Sequence, residues 1–256
     1  MSEAAQVELV RVDVAGEDDP GRLLVRDVTW GIDAGEWWAI GGGPASGKTA
    51  LLSVAAGLNP PARGVVRIFG RDRAAASESE QTAWRREIGF VFENGGGLLG
   101  RLSVAENVAL PIRYHSNLEP AEARTRVDAL LQLAGLERVA DLVPSRLTLA
   151  LRQRVALLRS LAAPVRMLFL DSPLRGLAPS GIRWWLGFLR ELRARRAADG
   201  EPLSLIMSAY DFHALRDDAE RFAVLENGRF RVLEEADEVA GYREDAAPPA
   251  HTADGL

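Results

Sequence analysis

The stretch Gly41-Gly42-Gly43-Pro44-Ala45-Ser46-Gly47-Lys48-Thr49 carries the plainest chemistry in this chain. From Gly42 it reads GxxxxGKT, a pattern suited to cradling the phosphates of a nucleotide. Glycines let successive backbone N–H groups turn inward around an anion, and a helix beginning at the lysine adds its positive end. Gly42, Gly43, Pro44, Ala45, Ser46, Gly47, Lys48 and Thr49 are therefore the candidate nucleotide-binding residues, with Lys48 reaching the outer phosphates and the Thr49 hydroxyl holding magnesium. A second candidate is Asp171, which ends the apolar run Met167-Leu168-Phe169-Leu170. A carboxylate at the carboxyl end of a buried parallel strand lies where open α/β sheets bind ligands, and it is the natural magnesium partner of Thr49.

The surrounding elements must bring these groups together. Trp37-Trp38-Ala39-Ile40 reads as a strand feeding the glycine loop, and residues 50–56 have the alanine and leucine content of a helix. Upstream, residues 6–14 and 23–30 are β-rich runs separated by turn residues at 16–21, which predicts an N-terminal antiparallel β layer. Residues 64–69 and 88–92 are further strands, and the polar stretch 71–80 leads toward a short helix near 81–86. Ser103 and Glu106 have capping-box spacing, and helical periodicity over 120–135 and 147–161 predicts a helical subdomain inserted over roughly 94–162. A helix over 181–196 carries Arg190, Arg193, Arg195 and Arg196, read here as a solvated face. Strands at 203–207 and 222–225 follow, with Asn227-Gly228 as a hairpin turn. The predicted organisation is one domain over 1–244 and a disordered tail at 245–256, rich in Ala and Pro.

With 47% hydrophobic residues the chain can bury a sizeable core, and a net charge of −5 gives no overall attraction to nucleic acid. Cysteine is absent, which removes thiol and disulfide chemistry. No apolar run reaches the length of a membrane span.

In this order the motifs resemble the ATP-binding subunit of an ABC transporter over roughly residues 6–235. The spacing from the glycine loop to Phe90-Val91-Phe92-Glu93, to Val143-Pro144-Ser145 and to Leu168-Phe169-Leu170-Asp171 is similar to that family's. Asn94-Gly95-Gly96-Gly97-Leu98-Leu99, followed by residues 103–110 and Pro111-Ile112-Arg113, looks most like the Mla-type, MCE-associated lipid-transport ATPases. The resemblance implies an α/β fold with a P-loop core of mostly parallel sheet, and ATP with Mg2+ as cofactors. It implies a second ATP-binding subunit closing head to tail over two nucleotides. It also implies a transmembrane permease, here pointing to an MCE-type complex, that holds the subunit on the cytoplasmic, inner face of the cell membrane.

Departures from the family pattern are equally specific. Its signature serine, two glycines and glutamine fall on Thr148, Leu149, Ala150 and Leu151, and its water-activating glutamate on Ser172. Its switch histidine falls on Tyr210, its Q-loop glutamine on Glu93 and its D-loop aspartate on Ala178. Ala45 stands for a glycine, and no aromatic occupies the adenine-stacking region near Val14 and Ala15. Serine cannot act as a base near neutral pH, and leucine should obstruct the approach of a helix end to a phosphate. These substitutions predict nucleotide binding with impaired hydrolysis. Glu93 near the metal could alternatively preserve slow turnover, and a non-hydrolysing regulatory or structural module stands as the alternative function.

Overall fold

A computed structural model describes residues 5–16, 19–115, 118–234, 238–239 and 242. The tail predicted at 245–256 lies outside the described residues. A ten-stranded sheet runs in the order β5 (Arg71–Asp72), β4 (Arg63–Ile68), β1 (Val7–Ala15), β2 (Leu23–Ile32), β10 (Arg229–Leu233), β9 (Arg221–Glu226), β3 (Trp37–Gly42), β8 (Ser204–Ser208), β7 (Met167–Leu170), β6 (Ile88–Val91). Its centre is β3 (Trp37–Gly42), fully buried and parallel to both β8 (Ser204–Ser208) and β9 (Arg221–Glu226). β7 (Met167–Leu170) pairs in parallel with β8 and with the edge strand β6 (Ile88–Val91).

The continuous apolar runs of the central strands have a direct consequence. Side chains alternate across a sheet, so each run feeds two cores. Trp37, Ala39, Leu168, Leu170, Leu205 and Met207 pack on one face, whereas Trp38, Ile40, Met167, Phe169 and Ile206 pack on the other. Burying each large apolar side chain contributes about 1.5–3 kcal/mol, which makes this strand cluster the rigid platform of the molecule.

The N-terminal strands β1 (Val7–Ala15), β2 (Leu23–Ile32) and β4 (Arg63–Ile68) are antiparallel, with the short β5 (Arg71–Asp72) at the edge. They form the expected antiparallel β layer and are hydrogen-bonded into the main sheet where β2 meets β10 (Arg229–Leu233) at Arg26 and Arg229. α1 (Lys48–Ala55) follows β3, and α2 (Glu78–Glu87) starts earlier than expected. Ser77 and Glu80 cap it reciprocally, a signal that the run of small polar residues obscured.

Between β6 and β7 in chain order lie α3 (Val104–His115), α4 (Pro120–Ala134) and α5 (Leu149–Leu161). The Ser103–Glu106 capping box forms as predicted. Asn107 is fully buried; its side chain accepts from Leu99 N and donates to the carbonyls of Leu99, Leu102 and Ser103, anchoring the glycine-rich loop to α3.

The arginines of α6 (Pro179–Ala198) fit a solvated face at the exposed Arg190 and Arg195, and correct that expectation at the less exposed Arg193 and Arg196. Arg190 forms a two-pronged pair with Asp218, and Arg193 donates to Gly35 O and to both Glu220 oxygens. Arg195 pairs with Glu191, while Arg196 donates to Val165 O and Glu201 O. Arg190, Arg193 and the Arg196 bond to Val165 tie α6 to distant segments that periodicity cannot reveal, whereas Arg195 pairs along the helix itself. No helix among the described residues is long and apolar enough to cross a membrane.

Candidate functional site

The end of β3 and the start of α1 form the phosphate loop. Its backbone takes φ +153° at Gly42, +58° at Ala45 and +96° at Gly47. At Gly42 a Cβ would lie 2.7 Å from Ser46 Oγ, and at Gly47 2.8 Å from Val25 Cγ2, so the glycines are demanded by space as well as by torsion. Ala45 adopts a left-handed conformation that its methyl group disfavours by about 1–2 kcal/mol. No side chain caps the α1 N-terminus, which leaves its first N–H groups directed to the loop. Lys48, only 6% exposed, donates to Gly42 O, to Gly43 O at 2.8 Å and to Ser46 Oγ at 3.4 Å. The ammonium thus sits inside the loop whose amides would hold phosphate.

Asp171 follows β7, and its backbone N–H donates to Val91 O across the sheet. Its Oδ2 accepts from Thr49 Oγ1 at 2.7 Å, and its Oδ1 accepts from Ser208 Oγ at 2.7 Å. Ser208, at the end of β8, also accepts from the Ser172 N–H at 2.8 Å. Asp171, Ser172 and Ser208 are all buried. A hydroxyl and one carboxylate are hard oxygen donors, and magnesium is commonly held by one or two carboxylates together with substrate phosphates. Thr49 and Asp171 fit that role. Among the described residues no cluster of three or more His, Cys, Asp or Glu is arranged to hold a metal alone.

Glu93, expected near the metal, pairs with Arg175. The structure thereby gives its carboxylate a protein cation as partner. Tyr210, at the switch-histidine position, has Lys48 Nζ 4.7 Å and Arg175 Cζ 5.0 Å from its ring centroid. An adjoining cleft of about 860 Å³ is lined by Ser172, Arg175, Ser208, Tyr210, His213 and Arg216 among others. Gly95 brings this region against α5: at φ +67°, its Cβ would stand 2.8 Å from the Arg152 carbonyl carbon. Arg159, whose guanidinium pKa burial pushes down, donates to Gly97 O and fixes the same loop.

The segment Thr148 to Leu151, expected at the signature position, opens α5. Thr148 is its N-cap and accepts from Leu151 N at 3.4 Å, so one helix-end amide is satisfied within the chain. Leu149 lies against Gly176, where an added Cβ would meet Leu149 Cδ2 at 3.1 Å. Ala150 and Leu151 are half-buried. This surface presents hydrocarbon where the family pattern has glycine. Val14 is fully buried and paired with Val25 in the sheet, so it supplies no stacking surface.

The structure brings together residues 42–49, Asp171, Ser172 and Tyr210, and adds two groups that motif reading missed. Ser208 ends an apolar strand without a motif around it. Arg175 follows the Asp171 segment as one arginine among many. Neither has a local signal, because each acquires its role from partners elsewhere in the chain.

A family model described as ABC transporter matches residues 25–175. The chain is 34% identical over 80% of its length to methionine import ATP-binding protein MetN 1 of Rhodococcus jostii, covering 59% of that protein. It is 32% identical over 83% of its length to MetN 2 of Bacillus licheniformis, covering 60% of it. The chain thus spans about 60% of the length of these curated relatives. Among solved structures, it resembles the dimeric ATP-binding cassette MJ0796 in a post-hydrolysis state with ADP and Pi. That likeness has TM-score 0.78 and 27% identity, covering 90% of this chain and 99% of the other. CbiO1 from Clostridium perfringens, part of the cbiONQ ABC transporter complex, shares the fold at TM-score 0.74 and 24% identity, with 91% and 88% covered.

Proposed function

Because the chain belongs to the ABC transporter ATP-binding family, we propose that it is a nucleotide-holding transporter subunit that binds Mg-ATP through residues 42–49 and Asp171 and hydrolyses it poorly. The carrying observation is the 2.7 Å bond from Thr49 Oγ1 to Asp171 Oδ2, which joins segments 122 residues apart beside the buried Lys48. Magnesium, when bound, would neutralise charge on the outer phosphates. Lys48 would exchange loop carbonyls for phosphate oxygens, and the loop amides would hold the remaining charge.

Impaired hydrolysis is supported by the side chains facing this centre. Ser172 offers a hydroxyl bonded near Ser208, and no carboxylate replaces the missing base at that position. A general base contributes about 10²–10⁴ in rate, and a preorganised donor to developing charge about 10²–10³. Loss of both the base and the glycine-built signature favours ATP retention over cleavage. The partners we infer are a second ATP-binding subunit and a permease that keeps the chain peripheral on the inner membrane face. The names of the relatives favour import of a small solute such as methionine; they lend no support to lipid cargo or an MCE-type partner. Leu149 and Ala150 at the positions expected to hold glycine favour one further reading, a regulatory subunit that pairs with an intact ATPase without turning over itself.

Calorimetry of the full chain with ATP and magnesium tests the binding reading. Wild type should bind, and Lys48→Ala should weaken affinity by at least about tenfold, the loss of one strong charged contact. No binding at millimolar ATP, or equal affinity in the variant, would overturn it. Rapid ATP turnover by the isolated chain would overturn the impaired-hydrolysis reading.

A further inference from the structure

The Tyr210 ring lies against two cations, Lys48 and Arg175. Lys48 marks the position of the outer phosphates, and the guanidinium carbon of Arg175 is 5.0 Å from the ring centroid. Arg175 also lines the cleft beside Ser172 and Ser208, the serines hydrogen-bonded around Asp171. Its ion-pair partner is Glu93, and the two side chains are 52% and 28% exposed. A pair open to water is weak and readily exchanged. The planar guanidinium fork suits a carboxylate and a phosphate equally well, so the exchange asks for no new donor geometry. The neutral Ser172 leaves no carboxylate at that position to draw the guanidinium away from an incoming anion.

Resting on the nucleotide-binding reading above, we propose that Arg175 exchanges Glu93 for the terminal phosphate of ATP and gives the site its discrimination of triphosphate from diphosphate. Tyr210 positions both cations: its ring attracts Lys48 Nζ at 4.7 Å and Arg175 Cζ at 5.0 Å from the centroid. Lys48 and the loop amides hold the phosphates common to ATP and ADP, whereas Arg175 reads the extra one. This makes Arg175 a specificity-determining residue and Tyr210 a positioning residue.

The test is calorimetric titration of the full chain with ATP and with ADP in the presence of magnesium, so that both nucleotides meet the site under the conditions of the reading it rests on. Arg175→Gln should weaken ATP about tenfold and leave ADP within about twofold, as expected for one charge-assisted contact made to the triphosphate alone. Arg175→Lys, which keeps charge without the fork, should fall between. Glu93→Gln, which removes the competing carboxylate of this pair, should strengthen ATP without strengthening ADP. Tyr210→Leu should narrow the ATP-to-ADP ratio. Equal weakening of ATP and ADP by Arg175→Gln, or no change in either, would overturn the proposal while wild-type binding left the nucleotide reading intact. Failure of wild type to bind either nucleotide would overturn both. Thermal melting of each variant shows that the folded protein is being compared.

Discussion

Ser208→Ala removes a single oxygen that joins three buried groups. Its hydroxyl donates to Asp171 Oδ1 at 2.7 Å and accepts from the Ser172 N–H at 2.8 Å. Ser208, Asp171 and Ser172 are 1%, 2% and 5% exposed, so water does not readily replace the lost bonds. A hydrogen bond to a charged group contributes about 1.5–3 kcal/mol, and an orphaned buried donor costs about 1–3 kcal/mol. Asp171 keeps its bond from Thr49, and local relaxation recovers part of the rest, giving an expected loss of roughly 2–4 kcal/mol. For a chain of this size each kcal/mol lowers the melting temperature by about 2–4 °C, so the variant should melt roughly 4–16 °C below wild type. Urea denaturation of nucleotide-free protein provides the free energy directly. A cycle with Asp171→Asn isolates the shared bond and should show coupling of about 1 kcal/mol or more. The exposed Ser145→Ala should change stability by less than about 0.5 kcal/mol. Stability of Ser208→Ala equal to that of Ser145→Ala, or strict additivity with Asp171→Asn, would refute the reasoning.

Ala45→Gly should relieve the strain at φ +58°, partly offset by the larger unfolded-state entropy of glycine, raising stability by up to about 1 kcal/mol in a melting experiment. Ser172→Glu alone should leave phosphate release from ATP at background, since the signature position remains Leu149; steady turnover by that single variant counts against the coupled-defect account. Glu80 and Glu106 have their pKa lowered chiefly by hydrogen bonds from the Ser77 and Ser103 backbones. Depressed folded-state values mean that their capping contribution is present above the unfolded glutamate value of about 4.3 and is lost as pH falls through the folded values. Urea midpoints followed from pH 6 downward should therefore decline less steeply in Glu80→Gln and Glu106→Gln than in wild type.

The subclass suggested by residues 94–99 shows how far a local pattern can reach. That glycine-rich loop is tied down by Asn107 and Arg159 and packed against α5 through Gly95, a constraint on backbone geometry that says little about cargo. The named relatives are methionine import ATP-binding proteins rather than lipid-transport ATPases, so the loop's likeness carries no assignment by itself.

What the sequence determined by itself was whatever depends on neighbours along the chain. The glycine loop requires positive φ at Gly42 and Gly47, and the Ser103–Glu106 box caps α3 within one helical turn. The unbroken apolar runs of β3 and β7 demand cover on both faces, which made the buried parallel core legible. Tertiary structure alone decided the sheet order, the pinning of the α6 arginines, Ser208 as the second support of Asp171, and the pairing of Glu93 with Arg175 beside Tyr210. These depend on hydrogen bonds and ion pairs between distant segments. A side chain's type fixes what it can bond, but only the packed sheet fixes which distant group lies within about 3 Å of it.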